Sequence, residues 1–254
     1  MVLSAREYVE LFHLVFMRAL LAKGDDKGLI ALNGGCNLRF YFDSVRYSED
    51  IDFDVVVMAK GTLKNKVERL LASPLVATPL LAKGVRIAHV SAPKQTDTTQ
   101  RWKIGLEADG LQVPLRTKVE FSRRDTLEGS AFEPVGREVL RLYGLTQVLA
   151  THYTAPFAIA QKIHALAARS ETQARDVFDL DLLLARPESA RVALTPAQKQ
   201  WLPEAIERAM AISFDDYRSK VIGYLAAHQA PLYESRAAWN TMQGQVVARL
   251  EALQ

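Results

Sequence analysis

Residues 29–57 read LIALNGGCNLRFYFDSVRYSEDIDFDVVV, and the rest of the chain is organised around them. An apolar run of strand length at 29–32 is followed at once by Gly34 and Gly35, where the backbone can turn sharply or approach another group closely. Residues 36–42 then have the pattern of a short helix. The segment therefore predicts a strand, a tight turn and a helix.

Acidic and apolar residues alternate directly after a basic loop, in the segment Ser-Glu-Asp-Ile-Asp-Phe-Asp at 48–54. Alternate residues of a strand share a face, so Asp50, Asp52 and Asp54 point one way and the apolar residues between them point into a core. Three like charges on one strand face repel one another, and Asp is disfavoured in strands. Mg²⁺ is the favoured compensator, because it accepts one or two carboxylates and completes its coordination with water and phosphates.

The glycine pair offers a second half of the same site. Backbone N–H groups close to a helix start bind phosphate, and Gly34 and Gly35 lie at the predicted start of the short helix. Carboxylates for a metal and N–H groups for phosphate together indicate a metal-assisted phosphoryl or nucleotidyl transfer centre.

Two blocks of this sequence resemble the nucleotidyltransferases of the AbiEii/AbiGii toxin family, which is related to the MenT toxins. The first block is the glycine pair, the short helix and the pattern Arg46-x-Ser48-x-Asp50-x-Asp52-Phe53. The second reads KIHALAARSETQARDVFDL at 162–180, in which a helix Lys and an Arg precede an Arg-Asp pair and a closing Asp-Leu. The two blocks together span most of the chain.

The resemblance implies a set of site residues. Asp50 and Asp52 would hold Mg²⁺, with Mn²⁺ as an alternative, on the triphosphate of an NTP substrate, and Asp176 would be a catalytic residue. The nucleotide-binding residues would be Gly34, Gly35, Arg46, Ser48 and Lys162. Arg175 and Asp179 would form structural pairs that orient Asp176.

Glu120 is the candidate for a third carboxylate. It shares a predicted strand face with Arg116 and Lys118, and an acid on a neighbouring strand can act as base towards the acceptor hydroxyl. The alternative is that this face is ordinary solvated surface.

Each of the other candidates also has a purely structural interpretation. Ser48 would cap a turn, the stem of Lys162 would cover apolar surface while its ammonium reaches water, and Asp176 would be stabilised by a helix N-terminus. Asp54 matches no family position and is predicted to be an exposed edge charge. His164 and the other four His residues lack ligand spacing, so packing or surface roles are favoured.

Composition narrows the class of protein. The chain has 254 residues, a net charge of +3 and 49% hydrophobic residues, which are ample for a buried core. The single cysteine, Cys36, excludes an intramolecular disulfide and a Cys-rich zinc site. No apolar run approaches the ~20 residues of a membrane span, so a soluble, cytoplasmic protein is expected.

The patterns along the chain predict an α+β fold in two domains. A capping box at Ser4 begins a first helix that ends at Lys23 and Gly24. A helix at 62–71 and strands at 85–90, 101–106 and 114–121 follow, and the strands are expected to be antiparallel neighbours. After Pro134 the pattern is almost wholly helical, with helices predicted at 156–169, 175–184, 195–212, 214–227 and 234–253. We therefore expect a mixed-sheet nucleotidyltransferase domain at 1–135, a helical bundle at 136–254 and an active site in a cleft between them.

The function implied is that of the toxin of a type IV-like toxin–antitoxin pair. It would transfer a nucleotide from an NTP to an RNA acceptor, such as the 3′ end of tRNA, and would have a cognate antitoxin. Basic residues at 101–124 would carry the phosphates of the acceptor. Two alternatives stay open: transfer to a protein hydroxyl or a small molecule, and a catalytically silent binding module of the same fold.

Overall fold

The computed structural model describes residues 3–22 and 24–254 and divides into two compact units. Unit 1 comprises the described residues of Met1–Asp43 and Tyr47–Tyr153, and unit 2 comprises Ser44–Arg46 and Thr154–Gln254.

The first helix of unit 1, α1 (Ala5–Leu20), starts with the predicted capping box. The Ser4 hydroxyl accepts from the Glu7 N–H, and the Glu7 carboxylate accepts from the Ser4 N–H. The helix ends at Leu20, whereas Lys23, part of its predicted end, lies outside the described residues. The other helices of unit 1 are α2 (Gly34–Tyr41), α3 (Lys60–Leu71), α4 (Pro74–Leu81) and α5 (Arg137–Tyr143).

The strands of unit 1 form one seven-stranded mixed sheet in the order β3-β4-β5-β2-β1-β7-β6. The strands are β1 (Ile30–Asn33), β2 (Ile51–Val55), β3 (Val85–Gln95), β4 (Thr99–Ala108), β5 (Leu115–Arg123), β6 (Ser130–Pro134) and β7 (Leu149–Tyr153). The predicted antiparallel succession of β3, β4 and β5 is confirmed. β5 then pairs in parallel with β2, which places the basic strands beside the acidic one.

The expectation that the chain is almost wholly helical after Pro134 holds for the described residues except for one strand. Residues 149–153 form β7, which pairs in parallel with β1 and antiparallel with β6. Four of its five residues are buried, so its sequence lacks the alternation that identifies a half-buried strand. Because β7 completes the sheet, the compact division of the chain falls after Tyr153, and the predicted domain boundary at 135 lies inside unit 1.

The core of unit 1 lies between α1 and the face of the sheet that carries its apolar residues. Phe53 of β2 stacks on Phe121 of β5 with ring centroids 5.1 Å apart, and Trp102 of β4 meets Phe121 edge-on at 5.9 Å. The alternating acids of β2 therefore have apolar neighbours that are buried, as the sequence predicts.

Unit 2 is helical apart from its short segment 44–46. Its helices are α6 (Ala155–Ala168), α7 (Ala174–Leu184), α8 (Pro196–Lys199), α9 (Leu202–Ala211), α10 (Phe214–Lys220) and α11 (Arg236–Glu251). The predicted helix at 195–212 is divided into α8 and α9, and the one at 214–227 ends at Lys220. Tyr217 and Trp239 stack at 4.4 Å in the core. Among the described residues, none of the helices combines the length and apolar character needed to cross a membrane.

Candidate active site

Four polar side chains form one row across four strands of unit 1. Asn33 of β1 is in register with Asp52 of β2, Asp52 with Glu120 of β5, and Glu120 with Arg101 of β4. Residues in register share a sheet face, and neighbouring strands lie about 4.7–4.9 Å apart. The structure therefore brings the two predicted acids Asp52 and Glu120 together.

Asp50 and Glu120 on this face each pair with a cation. The Lys118 ammonium lies 2.6 Å from the Asp50 carboxylate, and the Arg101 guanidinium donates to Glu120. The Glu120 hydrogen bond raises the pKa of Arg101, and the charges of Asp50 and Asp52 raise it further. Sequence reasoning had assigned both cations to acceptor phosphates and missed these pairs, because register joins positions 68 and 19 residues apart.

The turn between β1 and α2 brings the backbone against Asp52. Gly34 has a φ of +67°, in the left-handed region that favours glycine, and a Cβ placed on it would lie 2.8 Å from Asp52 Oδ2. Asn33, the N-cap of α2, accepts from the Gly34 N–H at 2.6 Å. That donor is thus occupied within the turn, and the Gly35 N–H stays the predicted phosphate donor of the glycine pair.

Gly34→Ala is expected to reduce the nucleotide transfer that the sequence predicts about a hundredfold, because the added methyl group would displace the Asp52 carboxylate. The left-handed backbone would add a cost of roughly 1–2 kcal/mol in free energy of unfolding. Steady-state kinetics and urea denaturation measure the two effects.

Gly61→Ala is the matched control. Gly61 lies in α3, its Cβ would contact nothing within 4 Å, and alanine there should increase stability by roughly 0.5–1 kcal/mol with full activity. Equal activity of Gly34→Ala and the wild type would contradict the close approach of this turn to Asp52.

Ser48 makes the turn contact that its structural interpretation predicts. Its hydroxyl donates to the backbone carbonyl of Asp50 at 2.8 Å, two residues ahead. The contact shapes the loop that leads into β2. Phosphate binding by Ser48 stays a prediction.

The sequence predicts that Asp54 is an exposed edge charge, and this prediction is wrong. Asp54 is 1% exposed, and its Oδ2 accepts from Tyr153 at 2.8 Å and from Asn33 at 3.2 Å, with Arg124 at 3.1 Å. Tyr153 belongs to β7, the strand that sequence reasoning missed, so the enclosure of Asp54 could not be anticipated. Asp54 thus links β1 and β7 to β2, the strand that also carries Asp52.

Lys162 and Asp176 come together inside unit 2. The Lys162 ammonium lies 2.9 Å from Asp176 Oδ1 and 2.6 Å from Asp179 Oδ2, both residues being 0% exposed. Its side chain is 11% exposed, so the ammonium does not reach freely into water as the structural interpretation supposed. The guanidinium that pairs with Asp176 is that of Arg169, at 3.4 Å. Substrate contacts of Lys162 and Asp176 stay predictions.

Arg46 also belongs to this buried cluster of unit 2. Its Nε lies 3.2 Å from Asp179 Oδ1, and its Nη2 lies 3.0 Å from each carboxylate oxygen. Burial opposes ionisation of Asp179, but the charges of Arg46 and Lys162 outweigh it and hold the pKa of Asp179 below its usual value. Asp179 thus forms the structural pairs expected of it, and the predicted nucleotide contact of Arg46 stays a prediction.

The donor set of unit 1 fits one kind of metal site. The described residues contain no group of three or more His, Cys, Asp or Glu side chains that would hold a metal by themselves. Asp50 and Asp52 supply hard carboxylate oxygens, and Mg²⁺ often uses one or two carboxylates and takes its remaining ligands from water and substrate phosphates. The residues therefore fit a metal that binds together with a triphosphate.

Known structures share the fold of this chain. The JHP933 protein of Helicobacter pylori is 17% identical with a TM-score of 0.60, and the match covers 99% of this chain and 96% of that one. A proposed nucleotidyltransferase from Helicobacter pylori is 18% identical with a TM-score of 0.60, and the match covers 99% of both chains. No curated protein matches this chain.

The family model described as nucleotidyl transferase AbiEii toxin, type IV toxin–antitoxin system, matches residues 15–251. This match includes the glycine turn, the acidic strand, Glu120 and the buried cluster around Lys162. The chain therefore belongs to the AbiEii family of nucleotidyltransferase toxins of type IV toxin–antitoxin systems.

Proposed function

We propose that this protein transfers a nucleotide from an NTP to an RNA acceptor, the 3′ end of a tRNA, with release of pyrophosphate. The observation that carries the proposal is the row in which Asp52 is in register with Glu120 and lies against the Gly34 turn. The proposed substrates, an NTP and a tRNA, imply a cytoplasmic location. Membership of a toxin family implies an antitoxin as a further partner.

The residues of unit 1 have separate tasks in this reaction. Asp50 and Asp52 would hold Mg²⁺, which would neutralise the charge of the triphosphate and polarise its α-phosphorus. The Gly35 N–H positions the phosphates. The acceptor hydroxyl oxygen bonds to the α-phosphorus, the bond to the bridging oxygen breaks, and pyrophosphate leaves with the electron pair. Glu120 accepts the hydroxyl proton, and its partner Arg101 orients it.

The acceptor surface is the face of β3, β4 and β5 that adjoins the carboxylates. Lys103 is in register with Lys118, Arg116 with Gly105, and Lys94 with Arg101. Like charges directly opposite each other destabilise a sheet, and in the part of the chain that the structure describes no carboxylate pairs with Lys103 or Arg116. Phosphates of an RNA acceptor would supply the missing negative charge.

Replacing both Lys103 and Arg116 with alanine is expected to raise the KM for tRNA while leaving the KM for the NTP near its wild-type value. The dependence of log K on log salt concentration should become shallower by about one unit for each phosphate that the variant no longer binds. Filter binding of tRNA between low and physiological salt measures the slope.

In the matched control, alanine replaces Lys64 and Arg69, two exposed cations of α3. The control therefore changes the net charge by the same amount. Its tRNA affinity and salt slope should equal those of the wild type. Equal slopes for both double variants would count against the β3–β5 face as the acceptor surface.

A transfer assay tests the function as a whole. The protein is incubated with Mg²⁺, each α-labelled NTP in turn and total tRNA, and EDTA is added to a parallel reaction. Label in RNA that depends on Mg²⁺ and on one nucleotide is the expected result. Label in protein or in a small molecule would identify that molecule, and not RNA, as the acceptor. The absence of label with every NTP would favour a catalytically silent binding module.

A further inference from the structure

Beneath the carboxylate-bearing face, three buried polar side chains and the half-buried Ser48 meet at the loop that leads into β2. They come from four elements: His13 from α1, Cys36 from α2, Ser48 from the loop itself and Thr117 from β5. His13 and Cys36 are each 1% exposed. Buried polar groups are costly unless hydrogen-bonded, so their partners indicate what the cluster does.

Three of these four side chains each contact one of two consecutive backbone carbonyl groups, those of Glu49 and Asp50. Thr117 Oγ1 donates to the Glu49 carbonyl at 2.7 Å, and Ser48 Oγ donates to the Asp50 carbonyl at 2.8 Å. The Cys36 thiol also lies 3.4 Å from the Asp50 carbonyl. Three side chains thus contact the backbone carbonyls of Glu49 and Asp50, just before Ile51 and Asp52.

The protons of the cluster can be assigned from its geometry. Thr117 has one hydroxyl proton, and it goes to the Glu49 carbonyl, so the 2.7 Å contact with His13 requires that His13 Nε2–H be the donor. His13 Nδ1 is then an acceptor that faces Cys36 Sγ at 3.5 Å, and the single thiol proton is shared between Nδ1 and the Asp50 carbonyl. His13 therefore acts as a neutral connector between Thr117 and Cys36.

Burial keeps these two groups in the protonation states that this assignment requires. It lowers the pKa of His13 to about 3, so the imidazole is neutral at physiological pH. Burial also raises the pKa of the Cys36 thiol, with smaller contributions from the charges of Asp52, Glu10 and Asp50. Cys36 accordingly stays a thiol that can donate.

We propose that His13, Cys36, Ser48 and Thr117 are positioning residues that fix the backbone of Glu49 and Asp50 and so preorganise Asp50 and Asp52 for the metal–triphosphate complex. The inference rests on the proposed nucleotidyl transfer. Its physical basis is that metal ligands depend on the groups that orient them, whose loss typically costs about 10–100-fold in metal affinity. None of the four residues needs to touch the substrate for this role.

Thr117→Val and Thr117→Ser form the matched pair that tests the proposal. Valine removes the hydroxyl at nearly constant volume and leaves the Glu49 carbonyl and His13 Nε2–H without their partner, whereas serine keeps the hydroxyl. We expect Thr117→Val to bind Mn²⁺ about tenfold more weakly than the wild type in the presence of a non-hydrolysable α,β-methylene NTP. Thr117→Ser should bind Mn²⁺ within about twofold of the wild type.

Amide hydrogen exchange of residues 49–52 supplies a readout that is independent of the metal. Exchange there should accelerate in Thr117→Val and stay near wild type in Thr117→Ser. If Thr117→Val is too unstable, Cys36→Ala and Cys36→Ser replace the pair, since serine keeps a donor for the Asp50 carbonyl and alanine does not.

The outcomes separate the two proposals. Faster exchange together with weaker Mn²⁺ binding supports the positioning role. Unchanged exchange, or faster exchange with wild-type Mn²⁺ affinity, overturns it and leaves the transfer function standing. Failure of the wild type itself to bind Mn²⁺ with the nucleotide analogue overturns both.

Discussion

Replacing Asp52 with asparagine should lower kcat for nucleotide transfer by about a thousandfold, the largest loss of activity that we expect from one substitution. Asparagine keeps the shape of the side chain but removes the charge that would hold the metal. Asp52 also lies at the centre of the row, between Asn33 and Glu120 and against Gly34. No neighbouring carboxylate can take its place without a shift of the turn.

Thermal unfolding and Mn²⁺ binding separate loss of function from loss of structure in this variant. Asp52 is half-buried and shares its face with other acids, so its neutralisation should change the free energy of unfolding by less than about 1 kcal/mol. The control is Glu107→Gln, which removes a carboxylate from the same sheet face, where it pairs with Arg86. Its activity should stay within about twofold of wild type. Full transfer activity of the Asp52→Asn protein would contradict the assignment of Asp52 as a metal ligand.

The largest loss of stability is expected from Asp179→Ala in unit 2. The substitution leaves the buried Arg46 guanidinium without its bidentate partner and takes one of two carboxylates from Lys162. Breaking a buried ion pair on one side typically costs about 3–5 kcal/mol, since a charge remains buried without compensation. Urea denaturation followed by the fluorescence of the unit 2 tryptophans measures the loss.

Asp181→Ala is the control on the same helix. Asp181 is partly exposed, lies 4.0 Å from Arg249, and has a pKa that burial raises, so its charge is poorly stabilised. Its removal should change the free energy of unfolding by less than about 1 kcal/mol. Equal stabilities of the two variants would show that the Arg46–Asp179 pair contributes nothing to unit 2.

The Asp179 carboxylate also predicts how the free energy of unfolding depends on pH. The pKa of Asp179 is lower in the folded protein than in the unfolded chain, so its stabilisation is fully present above the usual Asp pKa of about 4. The stabilisation is lost as the pH falls through the folded pKa. The wild type should therefore lose more stability below pH 4 than Asp179→Ala, in which this group is absent.

Local physical chemistry was enough to predict many elements of the fold. The capping box of α1, the succession of β3, β4 and β5, and the alternation of acids with buried apolar residues on β2 all depend on neighbours within a few residues. The same holds for the turn at Gly34, where a glycine pair follows an apolar run. The candidate residues could be named because short sequence motifs identify them.

Contacts between distant segments decided how those residues are used. The Asp50–Lys118 and Arg46–Asp179 pairs join positions 68 and 133 residues apart, and only strand register and helix packing bring them together. β7 escaped prediction because a strand buried on both faces has no alternation, and the enclosure of Asp54 was missed with it. The sequence was sufficient to name the acids of the site. Their ion-pair partners depend on sheet topology, which the local periodicity of a sequence does not reveal.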